Sequence, residues 1–369
     1  MNYLRCCIKC VLLISVCFAG VTPAMSGDQS LKYWMSYLSN DARQGRASGT
    51  PAMIETGNWL AKEFAGLGLE SLPGEQDFFQ AFTMQEPGSA ETIPGRNILG
   101  VLPGSETGDE RHYLIVSAHY DHIGVRSEAD ARAGNSDDRI FNGANDNASG
   151  VAAMLGIARY LNRAIAAGDL QRPAFSILFA AWDGEEKGLR GSAHFVANPP
   201  IPLTRIDAMI NLEMVGVTDD RYRKSLWLTG SEYSDLKARL QPALEARGWT
   251  VEADPFPDYS LFFRSDNAPF ALGPDADRKL LAQALQENRP VRFTGIPAHS
   301  LSTWRGQDHY HQVNDDIGLI DFDNLENLVV ALAEAIADLD SGNLEWQPHP
   351  VFKFKRPEAG RSGAAVSRE

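Results

Sequence analysis

An α/β architecture with a mixed, largely parallel central sheet and helices on both faces is what this sequence predicts. Three observations support it. Apolar, β-branched runs too uniform for a half-solvated strand recur at Tyr113–Ala118, Phe175–Trp182 and Ile206–Leu212. Segments of helical periodicity fall between and after them. Alternation of that kind belongs to parallel sheets covered on both sides.

In chain order, Leu31–Leu69 reads as helix with loops, with Trp34, Met35, Leu38, Ile54, Trp59, Leu60 and Phe64 at largely helical spacing. Phe78–Met84 and Arg96–Leu102 read as strands, the second ending at Pro103-Gly104. A polar loop runs from Arg126 to Asn145, and Ala148–Ala166 is a helix whose start Asp146 or Asn147 is placed to cap. A helix from Gly191 to Ala197 stops at Asn198-Pro199-Pro200. Ser225–Leu228 is a further strand, Leu236–Arg247 an amphipathic helix ended by Gly248, and Asn324–Leu339 a last helix.

The chain has 369 residues. Residues 1–26 carry Arg5 and Lys9, an apolar run from Cys10 to Val21 and a small-residue exit at Ala24 and Ser26, the pattern of a cleaved signal peptide. Ile14-Ser15-Val16-Cys17 departs from a lipoprotein site by the valine before Cys17, so no lipid anchor is expected. All four cysteines lie in this leader, which leaves the mature chain no disulfide and no thiolate ligand. An exported protein, periplasmic or secreted, is expected, with residues 27–350 as one domain and 351–369 as a flexible basic tail. Losing Arg5 and Lys9 takes the formal net charge from −14 to −16. So acidic a chain is a poor partner for nucleic acid or anionic membrane, and no integral membrane segment is expected in the mature chain.

Five short motifs carry the chemistry: His119-Tyr120-Asp121-His122, Asn145-Asp146-Asn147, Gly184-Glu185-Glu186, Leu212-Glu213-Met214 and Tyr310-His311. Singly, each has an ordinary alternative. His119 suits a strand end beside a solvated Asp121, Asp146 a helix N-cap, Glu185-Glu186 an acidic turn, Glu213 a solvent-facing strand end, and His311 a loop. Jointly they supply two imidazoles and three carboxylates for metal with one carboxylate left over for a proton, an inventory suited to hydrolysis by metal-activated water. His119, Glu185 and Glu213 all fall just past strand C-termini, where open α/β sheets bind ligands. The side chain of His122 is expected to point away.

On these motifs, with Leu38-Ser39-Asn40-Asp41, Gly45-Arg46 and Asn97–Gly104, the sequence resembles the zinc exopeptidase family of secreted dinuclear-zinc aminopeptidases, which includes glutamate carboxypeptidase and glutaminyl cyclases. The resemblance implies a zinc aminopeptidase/phosphorylase-hydrolase-like fold and two Zn2+ ions, with manganese or cobalt as substitutes of like ligand chemistry. By it, His119 and Glu213 are terminal ligands of one metal, Glu186 and His311 of the other, and Asp146 the bridge. Glu185 becomes the general base, Asp121 the partner of His119, and Tyr310 the holder of the developing oxyanion. The implied substrates are peptides with a free N-terminus.

Three features depart from the family pattern. Glu213 stands where aspartate is usual. His119 and Asp146 are 27 residues apart, which marks an insertion at about 125–141. A second, at about 272–290, separates Ser265–Phe270 from Gly295-Ile296-Pro297. Carboxypeptidase activity would use Arg264, Arg292 or Arg305 for the substrate carboxylate. A glutaminyl cyclase, working with one zinc, would not need both His119 and Asp146, and a non-catalytic relative would have lost ligands or base.

Overall fold

The computed structural model describes residues 27–86, 88–108, 111–126, 137–276, 283–284, 287, 291 and 293–339. The expected leader, the expected tail 351–369 with residues 340–350 before it, and most of both expected insertions lie outside these residues.

Among the described residues, ten strands and seven α-helices follow one another along the chain, alternating from the helix Ser149–Ala167 onward apart from the adjacent strands Ile206–Leu212 and Ser225–Leu228. Helices α1 (Gly27–Leu38) and α2 (Pro51–Gly66) precede strands β1 (Phe79–Gln85), β2 (Thr92–Leu102) and β3 (Tyr113–His119). Two short strands, β4 (Gly124–Val125) and β5 (Ile140–Phe141), pair antiparallel at the base of the first expected insertion. Then come α3 (Ser149–Ala167), β6 (Ser176–Trp182), α4 (Arg190–Ala197), β7 (Ile206–Leu212) and β8 (Ser225–Leu228). The chain continues through α5 (Leu236–Ala246), β9 (Thr250–Ala253), α6 (Asn267–Leu272), β10 (Ala298–Ser302) and α7 (Phe322–Ala337).

Eight of the strands form one sheet in the order β1-β2-β6-β3-β7-β10-β8-β9. Its centre, β6, β3, β7 and β10, is parallel, while β2 joins β6 and β8 joins β10 antiparallel. Every residue of β3, β6 and β10 is buried, which explains the continuous apolar runs of the first two. β10 was not foreseen, because His299, Ser300 and Ser302 disguise a core strand. Their polarity is internally satisfied: His299 sits between the Ser234 hydroxyl and the Thr229 carbonyl, and Ser300 Oγ donates to Asn267 Oδ1.

Helices α1, α2, α3, α5 and α7 pack one face of the sheet around Leu155, Ile157 and Leu332, whereas α4 and α6 cover the other around Phe195 and Phe270. From β3 the chain crosses by α3 on the first face to β6. It returns by α4 on the second face to β7, on the far side of β3. The C-terminal ends of β3 and β7 therefore border a crevice where connections leave in opposite directions, the usual ligand position in such sheets. Among the described residues, no helix is long and apolar enough to cross a membrane.

Candidate metal centre

β3 delivers His119 to the crevice, fully buried. Its Nδ1 lies 3.1 Å from the Asp121 backbone carbonyl, so that nitrogen donates and Nε2 presents a lone pair. Nε2 faces Glu213 Oε1 at 3.1 Å and Asp146 Oδ1 at 3.3 Å. Two carboxylate oxygens and an imidazole lone pair are all acceptors, and only a cation or a proton reconciles them. Glu213 follows β7 directly, and its second oxygen accepts from Ser265 Oγ at 2.7 Å. That serine takes a bond from Asn211 Nδ2, which also reaches Ser300 Oγ.

A second cluster mirrors the first. His311 Nε2 lies 3.2 Å from both Asp146 Oδ2 and Glu186 Oε2. Burial disfavours a charged imidazole at His311, yet Glu186 and Asp146 outweigh it and push its pKa up to about 10. The carboxylates thus call for positive charge here too. The two oxygens of Asp146 serve different histidines, one per cluster. This donor set of nitrogen and oxygen atoms, without sulfur, fits zinc.

The loop bearing Asp146 is held from several sides. The Asp315 carboxylate accepts the backbone N–H groups of Asn145 and Asp146, each at 2.9 Å. Asn147 spans to β7, donating to the Leu212 carbonyl and accepting from Met214 N. Gly143 has φ 58°, and a Cβ there would lie 2.3 Å from the Asp146 carbonyl oxygen, so a side chain is excluded. The capping alternative for Asp146 fails: Asn147 Oδ1 accepts from Gly150 N, while Asp146 faces the histidines.

Arg46 lies beneath both clusters, wholly buried. Its Nε donates to the Tyr120 carbonyl at 2.9 Å, Nη1 to the Leu38 and Asn142 carbonyls at 2.6 Å each, and Nη2 to the Gly143 carbonyl at 3.0 Å. One guanidinium therefore ties the loop after His119 to the loop before Asp146. Burial lowers its pKa to about 10, so it remains a cation at neutral pH.

Two expectations need correction. His122 does not point away: its buried Nδ1 lies 2.8 Å from Glu186 Oε1, and it joins Asp146 and Glu186 in a group of metal-ligand geometry. Asp121 touches His119 mainly through its backbone carbonyl, its carboxylate being 3.6 Å away. That carboxylate instead accepts from Glu185 N at 3.0 Å and Glu186 N at 3.2 Å, fixing the acidic turn. Ser48 adds a bond to Asp121 and another to Asp183, whose pKa burial and Asp121 raise to about 7. Arg46, Ser48, Asp183, Ser265 and Asp315 had no assigned place at the site in the sequence, although Asp315 stands in the acidic run after His311.

Two cavities open from the clusters. A pocket of about 640 Å³ has Trp227, Tyr259, Leu261, Trp304 and Tyr310 as walls, with Asp146, Glu185 and Glu213 beside them. A groove of about 1530 Å³ runs between α4 and α6, past Ala193, Val196, Ala268 and Leu272, and begins at Glu185 and Glu186. Glu185, Arg264, Tyr310 and His311 border both. Of the other arginines expected to serve a carboxypeptidase, Arg305 pairs with Glu252 and borders neither, and Arg292 lies outside the described residues.

Known proteins are similar to this chain in part of the sequence and in fold. The chain is 34% identical over 129 residues to an aminopeptidase of Pseudomonas aeruginosa, covering 30% of this chain and 22% of that protein. The fold is similar to a Zn-dependent exopeptidase from Parabacteroides distasonis (TM-score 0.61, 18% identity, 86% of this chain and 99% of that one). It is equally similar to Porphyromonas gingivalis glutaminyl cyclase (TM-score 0.61, 18% identity, 84% and 97%). The chain spans about a third or less of the length of the curated relatives it matches. The model of Peptidase family M28 matches residues 97–336, a span that holds both histidine–carboxylate clusters, and the chain belongs to that family.

Proposed function

We propose that this chain is a zinc-dependent exopeptidase, and within that class an aminopeptidase that releases N-terminal residues from peptides. The observation that carries the reading is Asp146, whose two oxygens face two histidines, each with its own glutamate. His119 and Glu213 would hold one zinc ion, His311 and Glu186 the other, and Asp146 both, with His122 steadying Glu186. Bound there, the ions would supply Lewis acidity and a water of lowered pKa.

The remaining work falls to side chains. Glu185 borders both cavities, and burial, against His119 but with Glu186 and Glu213, raises its pKa well above the carboxylate range. Cations held at the two clusters would offset that rise and ionise the carboxylate. Its position between the cavities then suits a general base which takes the proton of the attacking water and passes it to the leaving amine. Asp121, holding the Glu185 and Glu186 amides, fixes the direction of that base. Tyr310 offers its hydroxyl to the carbonyl oxygen as negative charge develops. The aromatic pocket takes the first side chain, with the free α-ammonium among Asp146, Glu185 and Glu213, and the groove takes the departing peptide. An acidic surround favours an amine end over a carboxylate end.

A purified-protein assay with aminoacyl, C-terminal glutamyl and N-terminal glutaminyl substrates, together with metal analysis, tests the reading. Two zinc ions per chain and release of N-terminal residues are expected. Cyclisation of the glutaminyl peptide without aminoacyl hydrolysis would replace it. Export is part of the proposal: N-terminal sequencing of exported protein should begin near Gly27, and a lipid-modified Cys17 would contradict it.

A further inference from the structure

We propose that Arg264 is a positioning residue that aims the hydroxyl of Tyr310 at the reacting carbonyl oxygen; the inference rests on the peptidase reading in that an acyl oxygen must react here. Arg264 follows the short turn Leu261–Phe263 and is exposed at the junction of the aromatic pocket and the groove. Its Nη2 donates to Tyr310 Oη at 3.2 Å. Among the described residues it has no carboxylate partner, and the side-chain group it bonds is that hydroxyl.

The ring of Tyr310 has little freedom. It stacks on His311 with centroids 3.9 Å apart and planes 21° from parallel, and it leans on Trp304 at 5.9 Å. Ring packing therefore fixes where Oη lies, and what remains open is where its proton points. A phenol has one proton to give and lone pairs to accept with, whereas a guanidinium can only donate. Accepting from Arg264 turns the Tyr310 proton away from the guanidinium and toward the space that Glu185 and both cavities share. A charge-assisted bond to the oxygen also polarises the O–H, which makes it a stronger donor to a developing anion. Donors fixed before reaction, where charge will appear, are what stabilise an acyl oxyanion.

The competing use of an unpaired arginine is recognition of a substrate carboxylate, such as the free end of a dipeptide. The two uses separate in a double-mutant cycle on the zinc-loaded full chain, with metal content measured for every variant. Tyr310→Phe should lower kcat about a hundredfold, the range for loss of one oxyanion donor. Arg264→Ala should lower kcat roughly tenfold with KM little changed, and Arg264→Lys should recover part of that loss. The double variant should be no worse than Tyr310→Phe within about twofold, because an arginine acting through the hydroxyl has nothing to act on without it. A tetrahedral phosphonate analogue, titrated calorimetrically, should bind about tenfold more weakly to Arg264→Ala.

Equal losses in both backgrounds would overturn the proposal, as would a loss confined to KM of substrates with a carboxylate next to the scissile bond. If the parent hydrolyses no aminoacyl substrate, the aminopeptidase reading fails by itself. The same cycle then runs on whichever glutamyl or glutaminyl substrate is turned over, since each reaction builds charge on an acyl oxygen. Turnover of none of them, with no binding of the phosphonate, overturns both.

Discussion

Shortening Glu213 to aspartate installs the residue that the family resemblance would lead one to expect, yet the geometry here predicts a loss. The carboxylate is anchored twice, with Oε1 3.1 Å from His119 Nε2 and Oε2 2.7 Å from Ser265 Oγ. Because Glu213 N is fixed by the Leu301 carbonyl, the backbone cannot follow a shorter side chain. Removing one methylene draws the carboxylate back by about 1.5 Å, a carbon–carbon bond length. The Ser265 bond would then stretch to roughly 4 Å, outside hydrogen-bond reach. A hydrogen bond to a charged group contributes about 1.5–3 kcal/mol. At 1.4 kcal/mol per decade, zinc affinity at the His119 position should fall roughly ten- to hundredfold. The His311 position keeps its contacts and its affinity. Competitive titration of the metal-free variant with zinc and a chromophoric chelator resolves the two positions. Activity should recover partly in excess zinc by mass action. Ser265→Ala, which removes the anchor without moving the carboxylate, should weaken the same position. If Glu213→Asp matches the parent in both affinities and in kcat, Glu213 is not held as described.

Three further outcomes are expected. Glu185→Gln should keep its metal content and lose about 10²–10⁴-fold in kcat, the range for a general base; loss of metal from it, but not from Glu186→Gln, would exchange their roles. Arg46→Met strands the buried Leu38, Tyr120 and Asn142 carbonyls, each at about 1–3 kcal/mol, while the Gly143 carbonyl keeps Ala148 N, so urea denaturation should show a loss above roughly 3 kcal/mol. Arg46→Lys should recover only part, because three donors cannot reach four carbonyls. Burial lowers the pKa of His299 from 6.5 to about 4, against the smaller pull of its Thr229 bond. The unfolded chain then binds the proton first. Stability is therefore full above pH 6.5 and declines as pH falls toward 4, by up to about 3 kcal/mol from this group. Denaturation at several pH values should show a flatter decline in His299→Gln; an unchanged slope would mean that His299 titrates normally.

The sequence made the crevice legible because the residues that must face it end strands whose burial leaves a plain apolar signal. His119 and Glu213 follow such runs directly, and the helix beginning within a residue of its expected start placed Asp146. Other features were hidden for physical reasons. β10 carries a histidine and two serines inward, and their bonding to Ser234, Thr229 and Asn267 is a tertiary fact that no local pattern shows. His122 was expected to point away, but the Gly124 turn and the β4–β5 pairing bring it back beside Glu186. Asp121 was read as a partner for one ring, yet two backbone amides 64 and 65 residues onward take its carboxylate. Arg46, an arginine in a polar stretch, looks like surface until four carbonyls from distant segments are seen around it.

The hydrogen bonds of Arg46 and Ser48 also set where the working unit begins. The family match starts at residue 97, some fifty positions after both. A fragment cut to the matched span would keep every candidate metal-binding side chain. It would lack the guanidinium that joins the Tyr120 and Gly143 carbonyls and the hydroxyl shared by Asp121 and Asp183. Sequence likeness marks the residues that do the chemistry, whereas the smallest expressible piece is bounded by whatever keeps their backbones in register. Here that boundary lies upstream of α2, and truncation from the N-terminus should abolish zinc binding well before it reaches the first ligand.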